Sequence, residues 1–465
     1  MTRRAWLLTL GAVAARAIAA LLVRVIDSDG ARNLQMAALI EQGRFIEALR
    51  LPTPTPPLHP YLTALLNVPL HHLLAAGVSV SVILGGLATL PLYAMARRTW
   101  DDRVATAAAA LYALLPAMVD IHAEPMTEGT FMFFFLTSIA VGWRALELRS
   151  WETTVAAAFC AALAWLARPE GIYLLPLFIV AALLRFSRFA PGAIVLFAAV
   201  WLVVAFPYLA FIHAETGHWQ TSLSPYPGLL TGYFRGERHP ELLLQEYGEY
   251  KAVREHGVLL GGGGHLLSNL FGKVLFYVLG PFLILGLFRP RPVDGQRPLL
   301  AYGWIAAGGY MVPIVLSFVV STPFSHRFLL LPAALLLPTV AAGIVRVSDW
   351  TGRRATFPLI VAALCLAMLV RDLRPRRPDK IGLKEGGLAV LKAIGPGKRV
   401  YSTARALEFY AQAEHATEER DADAVALFLP DAERSAGTYA LLGEYPSTPT
   451  PGTLRVRVYL RKRSP

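Results

Sequence analysis

Asp27 and Asp29 stand two residues apart in Arg24-Val-Ile-Asp27-Ser-Asp29-Gly-Ala-Arg32-Asn33, where the first long apolar run of the chain ends. A carboxylate held beside a nucleophile removes its proton and accelerates a reaction by roughly 10²- to 10⁴-fold. Glu128 occupies a comparable place in His122-Ala-Glu-Pro-Met-Thr-Glu128-Gly, where a later apolar run begins. Arg168 and Glu170 flank a proline between two further runs, and His326-Arg327 opens another. Acids and arginines from ends such as these can converge on one cavity. Each also has a plainer reading. The aspartates would then terminate a span, Arg168 would pair with Glu170 to order a loop, Arg327 would be an interfacial side chain, and His326 a packed neighbour.

The elements that must position these residues are apolar. The 465 residues are 55% hydrophobic and only 16% charged, against roughly 25% charged in a soluble domain. Apolar runs of near-spanning length recur at about 5–26, 78–96, 103–120, 129–147, 152–167, 171–185, 190–213, 272–288, 299–320, 327–345 and 356–370. In lipid such runs must satisfy their own backbone hydrogen bonds, so they are expected to be helices. The first run is too long for a cleaved signal segment and shows no small-residue cleavage pattern, so a retained span is expected. Cys160 and Cys365 fall inside runs, in no metal-ligand spacing.

The net charge of +12 is explained by topology rather than by nucleic acid. With the N-terminus in the cytoplasm, Arg97, Arg98 and Arg103, then Arg144 and Arg149, Arg185 and Arg188, Arg289, Arg291 and Arg297, and Arg346, Arg353 and Arg354 all face inward. Asp27, Asp29, Asp120, Glu124, Glu128, Glu170 and Glu215 then fall on the outer face. This threading makes residues 59–76 a helix lying in the outer interface, interrupted at Pro69, with His71 and His72 at headgroup level. The proline-rich 52–57 segment is expected to be extended, and Gly261–Gly264 a flexible hinge.

Beyond Arg371 the pattern changes. Helices are expected at Lys384–Ile394 and Thr403–Ala413, and strands at Arg399–Ser402, Ala424–Leu429, Tyr439–Gly443 and Leu454–Leu460, the last alternating with period two. The expected division is a membrane module over 1–371, with outer loops at 27–77 and 214–271, and a small α/β domain over 372–465. The fold class is thus an all-α polytopic membrane protein of about eleven transmembrane helices, with a small C-terminal α/β domain outside the cytoplasm.

The run Asp29-Gly-Ala-Arg-Asn-Leu-Gln-Met-Ala-Ala-Leu-Ile-Glu-Gln-Gly-Arg-Phe, followed by Thr55-Pro-Pro-Leu-His-Pro-Tyr-Leu, resembles the first outer loop of GT-C membrane glycosyltransferases. The likeness is to glycosyltransferase family 39 and dolichyl-phosphate-mannose protein mannosyltransferase-like proteins, including bacterial lipid A aminoarabinose transferases. Thr127-Glu128, Ala167-Arg168-Pro-Glu170-Gly, Thr216-Gly-His-Trp-Gln-Thr-Ser and His326-Arg327-Phe-Leu-Leu-Leu-Pro extend it in order to about residue 345. The resemblance implies an inverting transfer of a sugar from a polyprenyl-phosphate carrier to a lipid, glycan or protein acceptor outside the cytoplasm. The setting it implies is a bacterial-type plasma membrane. It implies Asp29 and Glu128 as catalytic acids. Asp27, Arg168, Glu170, His326 and Arg327 are candidate substrate-binding residues, and arginines there suit a phosphate leaving group. One departure bears on the donor: Asn33 stands where many relatives carry tyrosine.

Asp27-Ser-Asp29 also has the D-x-D shape that holds divalent cations in nucleotide-sugar enzymes; that reading stays open, and neither a metal ligand nor a cofactor is assigned. A transporter and a non-catalytic membrane scaffold are the rival classes. A transporter would show repeated halves and midplane breaks, whereas the polar groups here gather at one face.

Overall fold

The computed structural model describes residues 2–51, 55–221, 258–288, 292–317, 325–353, 355–402, 404–416, 418–428, 439–447 and 453–461. Expectations for Arg289, Arg291, Arg354 and most of the 214–271 loop fall outside these residues.

The membrane part contains α1 (Arg3–Leu21), α2 (Ser28–Glu41), α3 (Phe45–Leu49), α4 (Leu58–Leu70), α5 (Leu73–Leu87), α6 (Thr89–Thr99), α7 (Asp102–Leu114) and α8 (Pro116–His122). It continues with α9 (Thr127–Leu148), α10 (Trp151–Ala167), α11 (Leu174–Leu184), α12 (Ala190–Thr216), α13 (Gly263–Asn269), α14 (Gly280–Leu287), α15 (Arg297–Ser317), α16 (Leu330–Thr351) and α17 (Thr356–Asp372). Each apolar run read from the sequence contains helix among the described residues, although 272–288 is broken between a π-helical turn and α14. Among the described residues, six stretches are long and apolar enough to cross a membrane unbroken, α5 with α6 forming one of them. A seventh, α7 with α8, is bent by 51°. The protein is an integral, multi-pass membrane protein.

The bend lies at Leu115-Pro116. Proline has no N–H, so the Tyr112 carbonyl loses the donor that a continuous helix would supply. In hydrocarbon that vacancy needs another donor. Arg16, fully buried in α1, supplies it: its guanidinium donates to the carbonyls of Tyr112 (3.3 Å) and Ala113 (3.0 Å), and to His122 Nδ1 (3.1 Å). A buried cation in the first span thus clamps the broken helix that leads to the Glu124–Glu128 turn.

Two expectations about irregular segments resolve differently. Residues 58–70 form a separate short helix, α4, closed by His71 in the left-handed region; Pro69 lies within it rather than interrupting it, and residues 73–76 already belong to α5. At 1.5 Å per residue it is only about 20 Å long. His59 is buried and hydrogen-bonds Thr130 on α9 (3.0 Å), while Tyr61, Leu65 and Val68 form an exposed apolar stripe. Gly261–Gly264, expected as a hinge, is instead helical, divided between a π-helical turn (Val258–Gly262) and the start of α13. Helical hydrogen bonding outweighs the propensity cost of glycine, about 1 kcal/mol per residue.

The arginine-rich helix ends gather at one end of the bundle. Arg98 and Arg185 both reach Glu147 (2.7 and 3.8 Å), and Val293 N–H donates to the Thr99 carbonyl (2.9 Å). Asp29, Glu128, Arg168 and Arg327 sit at the opposite helix ends.

After α17 come α18 (Ile381–Ile394), β1 (Arg399–Ser402), α19 (Arg405–Tyr410), β2 (Glu414–His415), β3 (Ala424–Phe428), β4 (Tyr439–Tyr445) and β5 (Val456–Arg461). The sheet order is β2-β1-β3-β5-β4, with β1 parallel to β2 and β3, and β5 antiparallel to β3 and β4. Leu383, Val390, Val400, Leu407, Val456 and Val458 form its core, and Val25 from the segment between α1 and α2 joins them. The segment after α17 is stitched to the segment after α1: Arg376 N–H donates to the Leu22 carbonyl (3.1 Å), and Arg24 N–H to the Arg376 carbonyl (3.3 Å).

Candidate active site

Helix α2 starts where it does because the Asp27 side chain accepts from Asp29 N–H (3.0 Å), a cap that satisfies one free donor of the first turn. This places Asp29 in that turn, where the helix dipole favours an acid. Glu128 occupies the same place in α9. The turn before α9 is pinned by Ser81 on α5, whose hydroxyl donates to the Met126 carbonyl (2.8 Å) and accepts from Met126 N–H (3.0 Å). Gly129 permits the close approach, since a Cβ there would lie 2.6 Å from the Ser81 carbonyl oxygen.

These ends meet. Arg327, in the 3-10 turn (His326–Leu329) before α16, donates to Asp29 at 2.6 Å and lies 3.7 Å from Glu128. Arg168, between α10 and a 3-10 turn, binds Glu128 and Glu170 at 2.7 Å each, and Arg32 approaches Asp29 at 3.4 Å. Three carboxylates and three guanidiniums therefore alternate around one opening. Burial works against charge on Arg168, but Glu170 and Glu128 outweigh it and raise its pKa above the ordinary arginine value. The opening leads into a cavity of about 390 Å³, lined also by Asn33, Thr55, Tyr173 and Phe328. Asn33 donates to the Pro125 carbonyl (3.0 Å) and accepts from Thr55 (3.3 Å), so it ties α2 to the turn before α9.

The family model described as dolichyl-phosphate-mannose-protein mannosyltransferase matches residues 54–211. Comparison with curated protein sequences finds no match. Among solved structures, ArnT from Cupriavidus metallidurans bound to undecaprenyl phosphate aligns with TM-score 0.65 at 14% identity, covering 98% of each chain. The same protein in the apo state aligns with TM-score 0.64 at 13% identity, covering 97% of each. The Archaeoglobus fulgidus oligosaccharyltransferase, in complex with zinc and sulfate, aligns with TM-score 0.59 at 15% identity over 90% of this chain and 68% of that one. The fold is GT-C.

Within this GT-C fold, Asp29, Glu128, Arg168, Glu170 and Arg327 line one cavity. Asp27 and His326 do not. Asp27 is turned away by its capping role and by an ion pair with Arg377, which follows α17; Arg377 also binds Glu124 (2.8 Å), and Glu124 accepts from Asp27 N–H (2.7 Å). Burial pushes the Asp27 carboxyl up, but Arg377 and the Asp29 N–H more than reverse this and leave it below the ordinary value. Asp27 and Asp29 are thus committed to different cations, which does not suit a shared divalent ion. Among the described residues, no three His, Cys, Asp or Glu side chains are grouped to hold a metal. The reading from sequence missed Arg32, although it lies one turn after Asp29, and Arg377, which no local pattern connects to Asp27.

Glu124 makes a pH prediction. Burial raises its carboxyl to about 6 from an ordinary 4.5, despite the opposing Arg377 and Asp27 N–H. The folded protein therefore holds a proton there that the unfolded chain releases between those values. Stability from this group is fully present below pH 4.5 and is lost as pH rises through about 6, a change on the order of 2 kcal/mol. The melting temperature in detergent is expected to fall from pH 4.5 to pH 6.5, and Glu124→Gln to flatten that slope. An unchanged slope in the variant assigns the effect to another group.

Proposed function

We propose that this protein is an inverting glycosyltransferase that moves a sugar from a polyprenyl-phosphate carrier to an acceptor on the extracytoplasmic side of a bacterial-type plasma membrane. The observation that carries this reading is the alternating chain of ion pairs Asp29–Arg327–Glu128–Arg168–Glu170 at the mouth of a cavity, at the end of the bundle away from its arginine-rich loops. The family match and the two ArnT structures support a lipid-linked donor. The C-terminal α/β region, 372–465, lies on the same outer side in this reading.

The chemistry follows from the charges. A donor phosphate carries negative charge and competes with Asp29 for Arg327. Once Arg327 turns to the phosphate, the Asp29 carboxylate is free to accept a proton from the acceptor hydroxyl or amine as that group attacks the anomeric carbon from the face opposite the phosphate. The carbon–oxygen bond to the phosphate breaks, and its electron pair leaves on polyprenyl phosphate, stabilised by Arg327 and Arg168. Glu128 holds both arginines in place.

The test supplies polyprenyl-phosphate-linked sugars to purified protein and follows release of polyprenyl phosphate. Arg327→Gln is expected to slow release by roughly 10²-fold, the scale of losing one preorganised donor to a developing anion. Equal rates would remove Arg327 from the reaction.

A further inference from the structure

A second cavity, of about 410 Å³, lies between α1, α5 and the C-terminal region and shares no lining residue with the first. Its walls are membrane-span surface: Ala20 and Leu21 of α1 face Val78, Val82 and Ile83 of α5. Leu21 is 85% exposed and Ile83 44%, so the groove opens sideways toward the surroundings of the bundle. Counted from the start of α5, it runs about 15 Å down that helix at 1.5 Å per residue.

The mouth has a different chemistry. Arg24, exposed beyond the end of α1, makes no side-chain hydrogen bond or ion pair among the described residues. Lys384, on α18, holds its ammonium 5.6 Å over the Tyr410 ring, and His72 caps α5 by accepting from Ala75 N–H (3.1 Å). No carboxylate lines the groove, whereas the first cavity carries three. An apolar slot facing lipid, closed at the membrane surface by basic side chains with no acid to neutralise them, is complementary to a lipid with an anionic headgroup.

We infer that this groove is a binding site for an anionic glycerophospholipid of the membrane, with one acyl chain between α1 and α5 and the headgroup phosphate on Arg24 and Lys384. The occupant is the bulk anionic lipid rather than the sugar donor, because the groove holds no carboxylate to act as base and none of the arginines assigned to the reaction. It lies behind the reacting loop: Ile26 lines it, and Ile26 N–H donates to the Tyr410 hydroxyl (3.1 Å) that Lys384 covers. A lipid seated there would brace the segment that enters α2 and Asp29.

The experiment reads binding, not transfer, so its outcome is independent of the catalytic reading. Full-length protein in nanodiscs is exposed to phosphatidylglycerol, phosphatidylcholine, polyprenyl phosphate or soluble glycerol phosphate, and retained ligand is counted by native mass spectrometry. Phosphatidylglycerol is expected to be retained roughly tenfold or more over phosphatidylcholine, with no retention of glycerol phosphate. The double variant Arg24→Gln with Lys384→Gln should lose that preference. Ser79→Trp, which fills the groove and leaves both cations in place, should lose it too, and decides the matter alone if the double variant is not monodisperse. Retention unchanged in Ser79→Trp, equal retention of phosphatidylcholine, or displacement of phosphatidylglycerol by a stoichiometric amount of polyprenyl phosphate would each overturn the assignment.

Discussion

Asp29→Asn is expected to lower sugar transfer by 10²- to 10⁴-fold while leaving the melting temperature within a few degrees, an estimate on the scale of one lost general base. Asparagine keeps the shape and one oxygen for Arg327, so the contact now made at 2.6 Å weakens but is not emptied. What it lacks is a lone pair basic enough to take the proton of the acceptor. The loss should therefore appear in the chemical step, with donor binding retained or slightly tightened, because Arg327 is then freer to meet the phosphate. Glu128→Gln makes a useful contrast. Glu128 is almost fully buried and shared by two guanidiniums, so its neutralisation should weaken the placement of both and affect donor binding and rate together. Measuring the two parameters for each variant separates a base from a residue that positions cations.

Arg16→Met carries the largest expected cost in stability. The substitution keeps an apolar chain of similar length but removes every donor to the Tyr112 and Ala113 carbonyls at the bend. Each buried acceptor left without a partner costs about 1 to 3 kcal/mol, and in the membrane no water replaces the donor. Part of that loss is offset because a buried guanidinium is removed, and no carboxylate among the described residues lies within ion-pair distance of it. A net destabilisation of about 3 kcal/mol follows, read as a lower melting temperature of the detergent-solubilised protein. Combining it with Pro116→Ala, which restores an N–H beside the Tyr112 carbonyl, should recover part of the loss; no recovery would mean that Arg16 acts through His122 instead.

Arg16 also shows where the sequence could be read and where it could not. The apolar runs announced the helices because, in lipid, length and hydrophobicity suffice to specify them. An arginine within the first run was itself a signal, since charges at that depth are costly and have a purpose, yet its partners lie on α7 and α8, about a hundred residues away. The same limit hid Arg377, whose partner Asp27 is 350 residues distant. Asp29, Glu128, Arg168, Glu170 and Arg327 were legible because each sits at a helix end on the face away from the arginine-rich loops, a property that threading alone assigns. Asp27 and His326 share that position but do not line the cavity, because packing decides which of the neighbouring side chains enter it. In the C-terminal region the alternating strand at 454–460 was readable, with β5 observed at Val456–Arg461. Strand β2, Glu414–His415, was missed because two residues carry no period.

The chain of ion pairs has a further consequence for salt. Glu128 is nearly fully buried, so its pairs with Arg168 and Arg327 should be screened far less than exposed pairs, whereas the half-exposed pairs of Asp29 should weaken more as salt is added.

The central claim is that carboxylates and arginines from four separate helix ends assemble a site for sugar transfer from a lipid phosphate. It is tested most directly by giving the purified wild-type protein a panel of polyprenyl-phosphate-linked sugars with candidate acceptors and measuring two products together: free polyprenyl phosphate and the anomeric configuration of the transferred sugar. The account predicts acceptor-dependent release of the lipid phosphate with inversion at the anomeric carbon. Retention of configuration, or a folded protein that releases no lipid phosphate from any donor while moving solute across vesicle membranes, would contradict it.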